Sequence, residues 1–224
     1  MSVSRAWECR AALVLNLMAL GLLATTATAQ GGKGAFETFA SAQAARKSLA
    51  ASFRQSYVSA TLGEEIVEEG RLFFAAPGRL RLDYRRPDKK VFLVEPDGTT
   101  LSYVPADAAA WRSRLPAEAW HLELLRGRDD LADRFIVRDL APDGSGRSRL
   151  ELLPRGEDAG GVQRLELELD ADHRRLKSIL VTDELGNRSR LEFLRWKENP
   201  KLPDSTFRLR LPRGVILRDS GEGS

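Results

Sequence analysis

The most constraining feature of this 224-residue chain is a two-residue rhythm of apolar and charged side chains. Leu165, Leu167 and Leu169 alternate with Glu166 and Glu168. Leu80, Leu82 and Tyr84 alternate with Arg79, Arg81 and Asp83. Leu150 and Leu152 alternate with Arg149 and Glu151, and Phe207, Leu209 and Leu211 with Arg208 and Arg210. Successive side chains of a strand point to opposite faces, so each segment predicts a strand with one apolar and one wet face. Leucine, glutamate and arginine also suit helices, but a helix would smear these charges around its whole surface. The rhythm begins near Ser52, with Phe53 and Tyr57 in its first segment.

Turn-forming residues punctuate the rhythm at Pro77-Gly78, Pro87-Asp88, Pro96-Asp97-Gly98, Asp143-Gly144 and Leu185-Gly186-Asn187. Short strands joined by such turns form an antiparallel meander. Two segments break the pattern. Phe36 to Ala50 places Phe36, Phe39, Ala40, Gln43 and Lys47 at helical spacing, after a Gly31–Gly34 stretch that reads as a flexible lead. Ala117 to Arg126 follows Pro116 and predicts a second short helix with Trp120, Leu124 and Leu125, and Asp129 to Asp133 adds a further turn. The reading is a mainly β (α+β) chain, one antiparallel sheet with two or three short helices. Its apolar face must be covered. The sheet either fills its own interior or curls around helices and leaves a cavity, and periodicity does not choose between them.

The N-terminus has the three parts of a secretory signal: Arg5 and Arg10, an apolar run from Ala11 to Ala24, and the small-x-small triplet Ala27-Thr28-Ala29. The run of about 14 residues falls short of the roughly 20 that span a bilayer. Residues 1–29 are therefore expected to be a cleaved signal, 30–218 one domain and 219–224 a polar tail. The only cysteine, Cys9, lies in that signal, so the exported part has no disulfide, thiolate metal site or cysteine nucleophile. The whole chain has 35 basic and 32 acidic residues. Removing Arg5, Arg10 and Glu8 leaves 33 and 31, interspersed, with no basic stripe for nucleic acid.

Little in the chain points to catalysis. Its two histidines, His121 and His173, read as surface or boundary residues. There is no HExxH, CxxC, phosphate loop or GxSxG elbow. The carboxylate pairs Glu64-Glu65, Glu68-Glu69 and Asp129-Asp130 read as solvated neighbours. No enzyme activity, metal or cofactor is expected. Trp111, Trp120 and Trp196 suit either a lipid pocket or ordinary packing.

Four segments, Gly70 to Tyr84 (GRLFFAAPGRLRLDY), Asp97 to Leu101 followed by Tyr103, the Asp183 to Asn187 turn followed by Leu191 and Phe193, and Phe207 to Leu217 (FRLRLPRGVIL), together resemble the LolA family of lipoprotein carriers. The order and spacing of these weak motifs carry the likeness. It implies a single open, incomplete antiparallel β-barrel with short helices forming a lid over an apolar cavity. It also implies a periplasmic, monomeric carrier of acylated lipoproteins, loaded by an inner-membrane ABC-type release complex and emptied by an outer-membrane acceptor. Alternation and resemblance together nominate Phe73, Leu80, Leu82 and Tyr84 on early strands, Phe36 and Phe39 on the first helix, and Trp120 and Leu124 on the second as lipid-cavity residues. The same side chains serve equally as plain core.

Three departures accompany the likeness. Ala76 stands where family members carry an arginine that latches the lid, leaving Arg79 or Arg81 as nearby substitutes. Leu82 stands in place of a tryptophan. The chain stops soon after Leu217, whereas some members continue into a further C-terminal strand. The alternative function is a LolA-like paralogue that carries or senses another lipid, a glycolipid or acyl-linked product, without catalysis. A secreted hydrolase would need a nucleophile and base that these histidines do not supply.

Overall fold

The computed structural model describes residues 27–116, 119–128, 130–141, 144, 146–156 and 160–219. The expected signal, up to residue 26, and residues 220–224 lie outside that range. Helix α1 (Ala27–Ala44) comes first, followed by β1 (Ser48–Val58), β2 (Glu65–Ala75), β3 (Arg79–Arg86), β4 (Lys90–Val94), β5 (Thr99–Val104) and β6 (Ala109–Arg114). Helix α2 (Trp120–Arg126) precedes β7 (Phe135–Asp139), β8 (Ser148–Pro154), β9 (Val162–Leu169), β10 (Leu176–Asp183), β11 (Arg188–Glu198) and β12 (Ile216–Asp219).

The strands form one sheet in the order β12-β6-β5-β4-β3-β2-β1-β11-β10-β9-β8-β7. All neighbours are antiparallel except β12, which runs parallel to β6. The two edges, β7 and β12, are not paired to each other, so the barrel is open. The inner face carries Leu49, Ala51 and Phe53 of β1, Leu72 and Phe74 of β2, Leu80 and Leu82 of β3, Leu150 and Leu152 of β8, and Leu165, Leu167 and Leu169 of β9, all buried. Helices α1 and α2 cover that face, and a chain of rings joins them to the sheet. Phe36 packs on Phe39 at 6.1 Å, Phe135 meets Phe36 edge-on at 6.1 Å, and Trp120 meets Phe135 at 5.1 Å. A Cβ on Gly70 would lie 2.6 Å from the Phe53 ring and 2.5 Å from the Asp83 carbonyl, so this glycine is the notch that lets the ring lie flat on the sheet.

Several expectations need correction. Residues 31–34 are helical, not a lead, because Gly32 packs directly against Asp139, whose carboxylate accepts the Gly32 N–H at 2.8 Å. The first helix ends at Ala44, not Ala50, and Ser48 to Ala50 already belong to β1. The spacing of Phe36, Phe39 and Gln43 is helical, but alanines and Ser48 carry no phase that marks the switch to period two. The segment around Phe207, Leu209 and Leu211 is not a strand. Asp204–Phe207 is a 3-10 turn, and Arg81 on the outer face of β3 donates to the carbonyls of Thr206 and Arg208. Phe207 is buried beneath the Arg79 guanidinium, 4.9 Å from its ring centre. The alternation there records a chain lying against a surface, not a ladder. Asp219, expected in the tail, ends β12 and pairs with Arg112 at 3.1 Å.

Candidate functional site

The cavity is built by β3, β4 and β5 from below and by the N-terminal end of α2 from above. It holds about 350 Å³ and is lined by Leu82, Tyr84, Val91, Phe92, Ser102, Val104, Leu115, Ala119, His121 and Leu122, with Lys90 at its edge. The strand registers explain this lining: Leu82 faces Phe92, and Phe92 faces Ser102, so all three share the inner face. Leu122 and Leu125 of α2 are buried, as are Trp120 and Leu124. The lining is mostly apolar with a few polar groups at the rim, the composition of a small-molecule site.

The cavity is bounded by a polar edge. The Tyr84 hydroxyl donates to Gln55 Oε1 at 2.8 Å, and burial, with Glu68 nearby, raises its pKa. Lys90 pairs with Glu68 at 2.6 Å and lies 4.5 Å above the Tyr84 ring. Beyond this edge the inner face runs on to Tyr57 and Ile66, cross-strand partners that are both exposed. The β1–β2 and β10–β11 hairpin tips sit side by side there, joined by Ala60 N–H donating to Asn187 Oδ1 at 3.0 Å. Each tip exposes a leucine, Leu62 and Leu185. Exposed apolar side chains therefore lie beyond the polar edge, at the open end of the sheet.

The eight nominated residues divide. Leu82 and Tyr84 line the cavity. Phe36, Phe39, Leu80, Trp120 and Leu124 are buried in the continuous core beside it. Phe73 is a correction: it lies on the outer face, with the Arg71 guanidinium 4.9 Å from its ring centre. In the β2–β3 ladder Phe73 faces the outward Arg81, while Leu72 and Phe74 face Leu82 and Leu80. The run Leu72-Phe73-Phe74-Ala75 has no charged residue to mark its outer face, so its parity is hidden in the sequence. Val91, Phe92, Ser102, Val104 and His121 are lining residues that the sequence does not nominate. The run Val91 to Val94 is apolar at every position and so carries no alternation.

Arg126, at the C-terminal end of α2, ties the lid down. Its Nε donates to the Gly78 carbonyl at 3.0 Å, its Nη2 to the Glu95 and Pro96 carbonyls at 3.2 and 2.8 Å, and its Nη1 to Glu123 at 2.6 Å. One guanidinium thus joins α2 to both the β2–β3 and β4–β5 turns. Arg79 and Arg81, the substitutes considered from sequence, instead hold the C-terminal segment on the outer face. A second buried arginine, Arg46, fastens the end of α1. It bonds Gln43, reaches Glu198 at 3.3 Å and lies 4.8 Å from the centre of the Trp196 ring; burial lowers its pKa, opposed by Glu198. Gly127 closes α2 with φ +69°, and a Cβ there would come within 2.7 Å of the Gln43 carbonyl oxygen. Gly127→Ala is expected to cost about 2–4 kcal/mol, from left-handed strain plus a backbone clash. Urea denaturation monitored by tryptophan fluorescence would measure it, and a loss under about 0.5 kcal/mol would show that the two helix ends separate easily.

His121, expected at the surface or its boundary, is half-buried against the cavity, and burial pushes its pKa down to about 4. The depressed value means that the folded protein holds the ring neutral. Its contribution to stability is complete above the unfolded value of about 6.5 and is lost as pH falls toward 4. Between pH 7 and pH 5 the wild type is expected to lose up to about 2 kcal/mol more than His121→Leu, the partly exposed ring setting that as a ceiling. Parallel denaturation curves for the two proteins would show no difference if the ring titrates freely. His173 also has a structural place: it turns β9 into β10 with φ +56°, and its Nε2 lies 2.7 Å from Ser148 Oγ.

Among the described residues there is no group of three or more metal-ligating side chains, and no helix is long and apolar enough to cross a membrane. Residues 44–210 match the family described as outer membrane lipoprotein carrier protein LolA. The chain belongs to the LolA family. A curated outer-membrane lipoprotein carrier protein from Bordetella avium (strain 197N) is 28% identical over 211 residues, covering 91% of this chain and 96% of the relative. Another so named, from Methylibium petroleiphilum, is 30% identical over 173 residues, covering 74% and 79%. Among solved structures, an uncharacterized conserved protein from Thermus thermophilus shares the fold. Its TM-score is 0.55 at 12% identity, with 85% of this chain and 99% of that one covered. The LolA-family fold and the latched lid now describe the same molecule.

Proposed function

We propose that this LolA-family protein is a periplasmic carrier that receives acylated lipoproteins at the inner membrane, shelters their acyl chains in the cavity under α2, and delivers them to the outer membrane. The observation that carries this reading is the apolar cavity of about 350 Å³ between β3–β5 and the lid, with the exposed Tyr57 and Ile66 beyond its polar edge. Each buried methylene contributes roughly 0.8 kcal/mol, so complete burial of a long chain would hold cargo too tightly to release. A cavity smaller than a whole acyl chain, beneath a lid that must be lifted, leaves part of that burial unrealised and keeps transfer reversible. The polar Tyr84–Gln55 and Lys90–Glu68 pairs at the edge suit the headward end of such a cargo, where ester and amide groups need partners.

Native mass spectrometry of protein purified from a bacterial periplasm, followed by organic extraction and lipid analysis, tests the reading. Co-purifying lipoprotein or acyl lipid is expected in the wild type and absent in Ser102→Phe, which fills the cavity from β5 without removing a core group. A clean apo mass together with failure to take up an acylated peptide would sink it. A glycolipid in the extract would instead establish the paralogue reading.

A further inference from the structure

A cavity larger than the one under the lid is on the other side of the sheet. It is an open groove of about 650 Å³ crossing the outer face of β11, β1, β2 and β3. Its floor is made of small side chains, Ala50 and Ser52 of β1, which point outward between the buried Leu49, Ala51 and Phe53. Arg195 and Lys197 stand on one wall, opposite Ser52 and Ala50 in the ladder, and Arg71 and Arg85 on the other. All four cations are exposed. The only carboxylate in the groove, Glu69, is already paired with Arg86. Many arginines elsewhere on the sheet and lid are matched: Arg112, Arg128, Arg138, Arg149, Arg164 and Arg190 all have acidic partners. Among the described residues, Arg71, Arg85, Arg195 and Lys197 have no acidic partner and share one groove.

Two irregularities shape this site. The β1–β11 register slips so that Ser52 faces Arg195 and Phe53 faces Phe193, leaving Leu194 out of the ladder and 61% exposed. The β2–β3 register slips so that Glu69 faces Arg86 and Gly70 faces Tyr84, leaving Arg85 out of the ladder. Such bulges re-aim side chains, and here they turn a leucine and an arginine into the same groove. Unpaired cations grouped around one protruding apolar side chain match the chemistry of an anionic bilayer surface, with phosphates for the guanidinium groups and acyl boundary for the leucine.

We infer that the outer-face groove is a membrane-docking site, which seats the protein on the phosphate headgroups of an anionic phospholipid bilayer. The site is separate from the cavity under the lid, so docking and cargo binding occupy opposite faces of one sheet and do not compete. A near-neutral protein gains surface residence from this one patch, and screening by salt keeps it brief.

Co-sedimentation with vesicles tests the inference on the periplasm-purified protein. Binding is expected to vesicles of equimolar phosphatidylcholine and phosphatidylglycerol, not to pure phosphatidylcholine, and to be released by high salt. R71E/R195E is expected to weaken it about tenfold or more. R213E/R218E, with the same change in net charge on exposed residues away from the groove, is expected to leave it unchanged. Leu194→Ser is expected to weaken it without altering its salt dependence. Equal binding to both vesicle types, or equal loss in both charge-reversed pairs, overturns the inference. So does patch-dependent capture of poly-glutamate with no vesicle binding, which would make the groove a site for an acidic protein segment. Circular dichroism and acyl-peptide uptake on the same samples keep a folding defect, or a failure of the carrier reading, distinct from a failure of docking.

Discussion

Phe74→Ala is expected to destabilise the protein by about 3–5 kcal/mol, and Phe73→Ala, one residue away, by about 1 kcal/mol. Phe74 is 2% exposed, faces Leu80 across the β2–β3 ladder and lies in the continuous core. Truncating it removes the buried ring and leaves a hole that a twelve-stranded sheet cannot close locally. Phe73 is on the outer face beneath Arg71, where its loss uncovers little and water fills the space. Paired chemical denaturation curves would give both values. Equal losses would mean that the outer face is also buried, by a partner or by the C-terminal segment.

That contrast shows where the chain was legible and where it was not. Wherever a charge separates consecutive apolar residues, the buried face follows from the sequence. Leu80, Leu82, Leu150, Leu152, Leu165, Leu167 and Leu169 are all buried as alternation requires. Where apolar residues run together, as in Leu72 to Ala75 and Val91 to Val94, period two has no phase, and the inner face is set by neighbouring strands. Phe207 to Leu211 shows the converse failure: alternation marks an extended chain with unlike sides but does not say whether a ladder partner exists. The family likeness supplied the helix lid and the open barrel, which periodicity left undecided. It could not place the latch. The arginine before the proline is Ala76 here, and the guanidinium that holds the turns comes from the opposite element, α2. In sequence Arg126 is simply the last residue of a helix, where a basic side chain favours the helix dipole and calls for no further account.

Arg126→Ala is expected to cost about 2–4 kcal/mol and to loosen the lid before the sheet. The side chain is 9% exposed and its Glu123 partner 15%, so most of the pair is out of water. Removing the guanidinium leaves Glu123 with Arg128 at 3.9 Å as its remaining cation, and Glu123 Oε2 already lacks a hydrogen bond. The carbonyls of Gly78, Glu95 and Pro96 would then turn to solvent, which they can do only if the end of α2 lifts. Hydrogen exchange should therefore rise first in Trp120–Arg126, while the β8–β9–β10 amides stay protected until global unfolding. Arg126→Lys restores one charge but cannot reach three carbonyls and a carboxylate from a single ammonium, so it should recover less than half of the loss. In the double variant Glu123→Gln/Arg126→Ala the stranded carboxylate is gone. Its stability should exceed that of Arg126→Ala alone while the lid amides remain fast, because the turns are still untied. Exchange that speeds equally across lid and sheet would show that Arg126 stabilises the whole barrel and does not act as a latch.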